Sequence, residues 1–221
     1  MFKYTIALVG LSVLTFSANA ALYDRGNKLI YDDVLNITWL QDSNYAGGAI
    51  TWDQAQTWVT NLSYGGYDDW RLPSANLING ASPCIDNSGS CDSGYNIKRS
   101  ELGHMFYTNL ANLGMFDVNG AYQPGHGVTN SSFADGGNGG NVSILNLENW
   151  VYWFDEQYAP DTGRAWSFFT AMGWQVNNAK TDTSISWAVR DGDVTFVPVP
   201  AAMWLLSTAL LGLAGVKRRC R

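Results

Sequence analysis

The run Tyr64-Gly65-Gly66-Tyr67-Asp68-Asp69-Trp70-Arg71-Leu72-Pro73 separates two kinds of pattern in the chain. The paired glycines end the segment before them, and Pro73 stops the segment it closes. Between them, Asp68 to Leu72 reads as a short strand. Upstream, residues 51–62 read as a helix. Trp52, Ala55, Trp58, Val59 and Leu62 fall at i, i+3, i+6, i+7 and i+10, which is one apolar face. Thr51 is placed to cap it, and Asp53 in the first turn suits the helix dipole. Residues 29–33 and 36–40 form two short strand patterns around a turn. A second helix is expected from a Ser100 cap to Leu113, with Leu102, Met105, Phe106, Leu110 and Leu113 as its stripe. Residues 74–97 and the glycine-rich stretch from Asp135 to Asn141 read as loops. Short β-like runs come later, at 150–154, 164–169, 174–177 and 186–190. Two helices early and short, mostly antiparallel strands late predict one loop-rich α+β domain over residues 21–196.

Composition agrees with a packed body. Of 221 residues, 46% are hydrophobic and only 14% charged, and 10 Trp, 11 Tyr and 9 Phe can fill a core. Disordered, collagenous, coiled-coil and polytopic membrane classes are excluded. All 19 acidic groups lie within residues 21–196, against eight basic ones, a balance of −11. A body of this sign is repelled by phosphate backbones, so nucleic acid is not an expected partner.

Both ends read as addresses. Lys3, the apolar run from Tyr4 to Phe16, and Ala18-Asn19-Ala20 have the form of a secretory signal peptide over residues 1–20. Cleavage would leave Ala21 as the first residue. Residues 201–216 carry no charge and lead into Lys217, Arg218 and Arg219. As a helix this stretch would span about 24 Å, at the short end for a bilayer core, with the basic cluster held inside. Export favours oxidation, so Cys84 and Cys91 are expected to pair in a small disulfide loop.

The tail from Val197-Pro198-Val199-Pro200 through the apolar run to the basic cluster resembles the PEP-CTERM protein-sorting signal, in a variant with Val199 where Glu is common. The resemblance implies an exosortase-type processing enzyme, transient anchoring in the inner membrane, and a place on the surface or in the matrix of a Gram-negative bacterium that makes exopolysaccharide or biofilm. The body is similar to the Lcl C-terminal domain family over about residues 29–192. The resemblance rests on Thr38-Trp39-Leu40, Trp52 with Ala55, Gly65, Gly66, Trp70, Arg71, Leu72 and Pro73, Glu101-Leu102, and Trp187 to Arg190. It implies a C-type-lectin-like or formylglycine-generating-enzyme-like fold in which these residues are structural, and binding of sulfated or other surface polysaccharide.

Abundant Asp, Asn and Trp permit a sugar site of polar groups beside an aromatic platform. The calcium-lectin triplets Glu-Pro-Asn, Gln-Pro-Asp and Trp-Asn-Asp are absent; Gln123-Pro124-Gly125 is the nearest fragment. Candidate oxygens for a calcium ion are Asp135 with Asn138 and Asn141, or Asp191 with Asp193. Glu101 and His104 stand at i and i+3 and read as a surface pair. No nucleophile elbow, phosphate loop or zinc-hydrolase motif occurs. No catalytic residue is assigned. The expected function is a non-enzymatic, exopolysaccharide-binding surface protein. The alternatives are a carbohydrate-active enzyme on the same fold and a purely structural biofilm component.

Overall fold

The computed structural model describes residues 21–80 and 84–194. In chain order its strands are β1 (Leu22–Asp24), β2 (Leu29–Asp32), β3 (Ile37–Leu40), β4 (Ile85–Asp86), β5 (Ser93–Gly94), β6 (Ser132–Ala134), β7 (Asn141–Ser143), β8 (Val151–Gln157), β9 (Arg164–Phe169), β10 (Trp174–Ala179) and β11 (Val189–Asp191). The helices are α1 (Trp52–Thr60) and α2 (Glu101–His104), and α2 runs on into a π-helical turn over Met105–Asn109. The fold is α+β. Its sheets have the orders β1-β2-β3-β11, β4-β5-β10-β9-β8 and β6-β7. Every pairing is antiparallel except β4 with β5.

Alternation and capping explain the elements that form as read. Thr51 accepts the Gln54 amide hydrogen while the Gln54 side chain accepts from the Thr51 amide, a complete capping box for α1. Ala55 and Val59 are its buried face. Strands β8 and β9 hold Tyr152, Trp153, Phe154, Trp166 and Phe168 wholly inside, and this aromatic layer is the centre of the core. The first three strands and the last share one sheet, so both ends of the body lie together. Arg25 after β1 clamps Asp193 after β11 at 2.6 Å.

Three expectations are corrected. Of residues 68–72 only Arg71 pairs, as a single bridge to Val189, so no continuous strand forms there. The stretch after Ser74, expected as loop, contains β4 and β5. The second helix is capped by Ser100 as read, yet it widens at Met105 and ends at Asn109. Residues 101–107 are all buried, so no 3.6-residue stripe governs them, and a wider turn lets consecutive side chains face inward. Close packing adds to this: a Cβ at Gly103 would run into the Ile97 carbonyl. Trp52 and Trp58 are half-buried against the core that holds Trp39 and Trp70. Trp39 meets Trp187 at 4.6 Å and Trp70 meets Tyr64 edge-on, while Trp52 donates to the Phe154 carbonyl under the Lys180 ammonium.

No helix of the described residues is long and apolar enough to cross a membrane. The signal, Pro-motif and apolar-tail assignments, with Ala18, Ala20, Val197 to Pro200 and Lys217 to Arg219, lie outside the described residues.

Candidate functional site

The residues of the Tyr64–Pro73 run converge on one polar network. Gly65 and Gly66 both adopt positive φ, and a Cβ on Gly65 would press on Leu29 at 3.0 Å, so the turn needs glycine there. The turn delivers Arg71 to three acceptors. Its guanidinium makes paired 2.8 Å bonds to Glu101, reaches Asp191 at 2.7 Å, and donates to the Leu72 carbonyl. Burial works against the charge on Arg71, but Glu101 and Asp191 outweigh it and hold the guanidinium above arginine's ordinary pKa. Glu101 also accepts from the Ser74 amide at 2.7 Å. Beside this hub Arg190 pairs with Asp69 at 2.7 and 2.8 Å and lies over the Tyr67 ring. Trp187 donates to the Leu40 carbonyl from inside the core. Trp70 and Leu72 are buried beneath. The network ties the run to α2 and β11.

The cation candidates are otherwise engaged. Asp135 accepts amide hydrogens from Asp24, Gly137 and Asn138, which hold its pKa low against the opposing effect of burial. Asn138 bonds the Gly140 amide, and Asn141 pairs with Ala134 in the β6–β7 ladder. Asp191 and Asp193 face different arginines, Arg71 and Arg25. Among the described residues no three His, Cys, Asp or Glu side chains gather to hold a metal. Glu101 and His104 are not a surface pair either, since both are buried. His104 instead approaches Asp32, with Nε2 3.9 Å from a carboxylate oxygen, and that nitrogen has no hydrogen-bond partner among the described residues. Cys84 and Cys91 form the expected disulfide, with Cα atoms 5.4 Å apart.

A different place has the makings of a binding site. Trp150, just before β8, is 50% exposed. It lines a cleft of about 350 Å3 with Asn44, Gly48, Ala49, Glu148 and Ile185. Each wall is fixed from behind. The Trp150 amide donates to Thr170 Oγ1 at 2.9 Å. The Glu148 amide donates to the Tyr152 hydroxyl, whose own pKa is pushed up to about 12 by burial. Asn44 receives the Gly48 amide at 3.0 Å and donates to Glu148 at 3.2 Å. Behind them Asp42 accepts from the Asn44 amide and the Asn146 side chain, which zips the two loops together. Ile185 is held between Val151 and Trp153 by backbone bonds of 2.9 and 3.0 Å. A half-bare indole beside a fixed amide and a carboxylate offers an apolar platform with hydrogen-bonding groups at its rim. A larger cavity of about 450 Å3 lies over Thr108, Asn109, Asn130 and Ser132, but its ring, Phe133, is buried.

Nothing in the sequence singles out Trp150, Asn44 or Glu148. Trp150 reads as one more strand aromatic, and Asn44 lies over a hundred positions from its partner. The only local sign is an acid, an amide and an indole in succession at Glu148-Asn149-Trp150. Compared with known proteins, the chain matches no protein-family model and no curated protein.

Proposed function

We propose that this chain is an exported surface or matrix protein of a Gram-negative bacterium whose body, a C-type-lectin-like domain, binds extracellular polysaccharide without turning it over. The observation that carries the binding reading is the Trp150 cleft: a preformed, aromatic-floored recess with Asn44 and Glu148 at its edge. Sugar rings present apolar C–H faces to stack on an indole and hydroxyls to meet amide and carboxylate groups. Export is supported by the leader-like residues 1–20, by the disulfide in the body, and by the Pro-apolar-basic order of residues 197–219. In this reading an exosortase-type enzyme processes the tail after transient anchoring in the inner membrane.

Affinity electrophoresis through gels containing a panel of polysaccharides, with and without EDTA, tests the binding role. Retardation by at least one polysaccharide, insensitive to EDTA and lost in Trp150→Ala, is the expected result. Release of shortened products points to the enzymatic alternative. Unchanged mobility in every gel leaves the structural-component alternative and removes the binding reading.

A further inference from the structure

We propose that the Trp150 cleft selects a saccharide without acidic groups, neutral or amine-bearing, and rejects sulfated or uronate chains. The proposal rests on the polysaccharide reading above and adds the chemical class. Among the described residues, Glu148 is the one charged group in the cleft's lining, and it is exposed. Asn44 engages one of its carboxylate oxygens. The other is placed to accept from a sugar hydroxyl or an ammonium. Asp42 adds a second negative charge one loop behind, joined to the rim through the Asn44 amide at 3.0 Å. None of the body's eight basic residues lines the cleft.

The rest of the body reinforces this sign. An anionic chain needs free cations along its track, as arginines and lysines supply for phosphate and sulfate. Arg25, Arg71, Arg99 and Arg190 are each committed to carboxylates, Asp193, Glu101, Asp92 and Asp69 respectively. Arg164 is bonded to the Asn177 side chain and carbonyl. Lys180 sits over the Trp52 ring and bonds Gln157. Lys28 and Lys98 remain, on separate parts of the chain, within a field set by 19 acidic groups. A sulfate brought to the cleft meets Glu148 with no compensating charge, and the long-range field slows its approach. An amine-bearing sugar meets the opposite situation.

The test uses the full chain in neutral detergent and three hexasaccharide probes: a neutral glucan, its glucosamine counterpart, and a sulfated glucan. Calorimetry at low salt is expected to rank glucosamine first, glucan second, and the sulfated probe at least about tenfold weaker. Added salt should narrow the spread, because the discrimination is electrostatic across solvent. Glu148→Gln keeps an oxygen for Asn44 but loses the charge, so the affinity ratio of glucosamine over glucan should fall to about one, whatever the variant's affinity for either. Trp150→Ala should abolish binding of all three with an unchanged circular dichroism spectrum. Equal or tighter binding of the sulfated probe overturns the selectivity while leaving polysaccharide binding standing. So does a ranking that Glu148→Gln leaves intact. Undiminished binding by Trp150→Ala places the site elsewhere. Failure of all three probes removes the polysaccharide reading and this inference together.

Discussion

Glu101→Gln is expected to weaken the body by about 2–3 kcal/mol, and the figure comes from the Arg71 hub. Removing one partner from a buried ion pair costs roughly 3–5 kcal/mol, because the other charge stays buried without compensation. Two features reduce that here. The Arg71 side chain keeps 29% of its surface exposed, and Asp191 remains 2.7 Å away. Glutamine also retains an oxygen for the Ser74 amide, which lies 2.7 Å from Glu101. A body of this size moves by about 2–4 °C per kcal/mol, so the thermal midpoint of residues 21–196 should fall by about 4–12 °C at pH 7. Asp191→Asn is the control. The Asp191 side chain is 79% exposed, and a pair of that kind contributes about 0–1 kcal/mol. Chemical unfolding by urea with tryptophan fluorescence separates the two variants. A Glu101→Gln midpoint within error of the parent, or one matching Asp191→Asn, would refute the claim that this network fastens the run to α2.

Three further outcomes are expected. Thiol alkylation of the exported, unreduced protein should label neither Cys84 nor Cys91, and replacing both with Ser should cost about 2–3 kcal/mol for a bridge of sequence separation 7; two labelled cysteines in the body would contradict the bond. Asp92 is held below the usual carboxylate range: burial opposes its charge, but amide hydrogens of Ile78, Asn79 and Gly80 and the Arg99 guanidinium outweigh it. Its contribution is therefore present above the unfolded carboxylate pKa of about 4 and is lost as pH falls through the lower folded value. Asp92→Asn should flatten the acid side of a urea-midpoint-against-pH curve, and an unaltered acid limb would remove Asp92 from that role. Intact-mass measurement of the mature protein from its native host should show a chain that begins at Ala21, whose amide nitrogen lies 3.0 Å from an Asp33 oxygen, and that lacks Trp204 to Arg221. A mass retaining those residues would make the tail a permanent anchor.

The features legible in the sequence are those encoded locally. Helix α1 announces itself because cap, first-turn acid and apolar spacing lie within twelve residues. Strands β8, β9 and β10 announce themselves because aromatic and β-branched runs have few other fates. Helix α2 and its π-helical turn end earlier than their apolar residues suggest. Seven consecutive buried residues present no amphipathic period. The β4–β5 pair is too short to carry a pattern. The motif residues are recognisable as a set, yet nothing local says that Arg71 meets Glu101 30 positions away or that Arg190 meets Asp69 121 positions away. The candidate cleft is hidden for the same reason. Trp150 differs from Trp153 and Trp166 only in being half-exposed rather than fully buried, and exposure is a property of the assembled sheet. In the Asp135 loop, whose oxygens suggest a cation, the carboxylate accepts the backbone amide hydrogens of Asp24, Gly137 and Asn138.

The most direct measurement is a titration of the protein, labelled with 15N at its tryptophans, with the glucosamine hexamer at low salt. Ten indole N–H signals report on the whole molecule. The Trp150 signal, assigned by its loss in Trp150→Phe, should shift first and saturate while those of Trp39, Trp153, Trp166 and Trp187 stay in place. A saturable shift at another indole with Trp150 unmoved, or no shift at any, would contradict binding at this cleft.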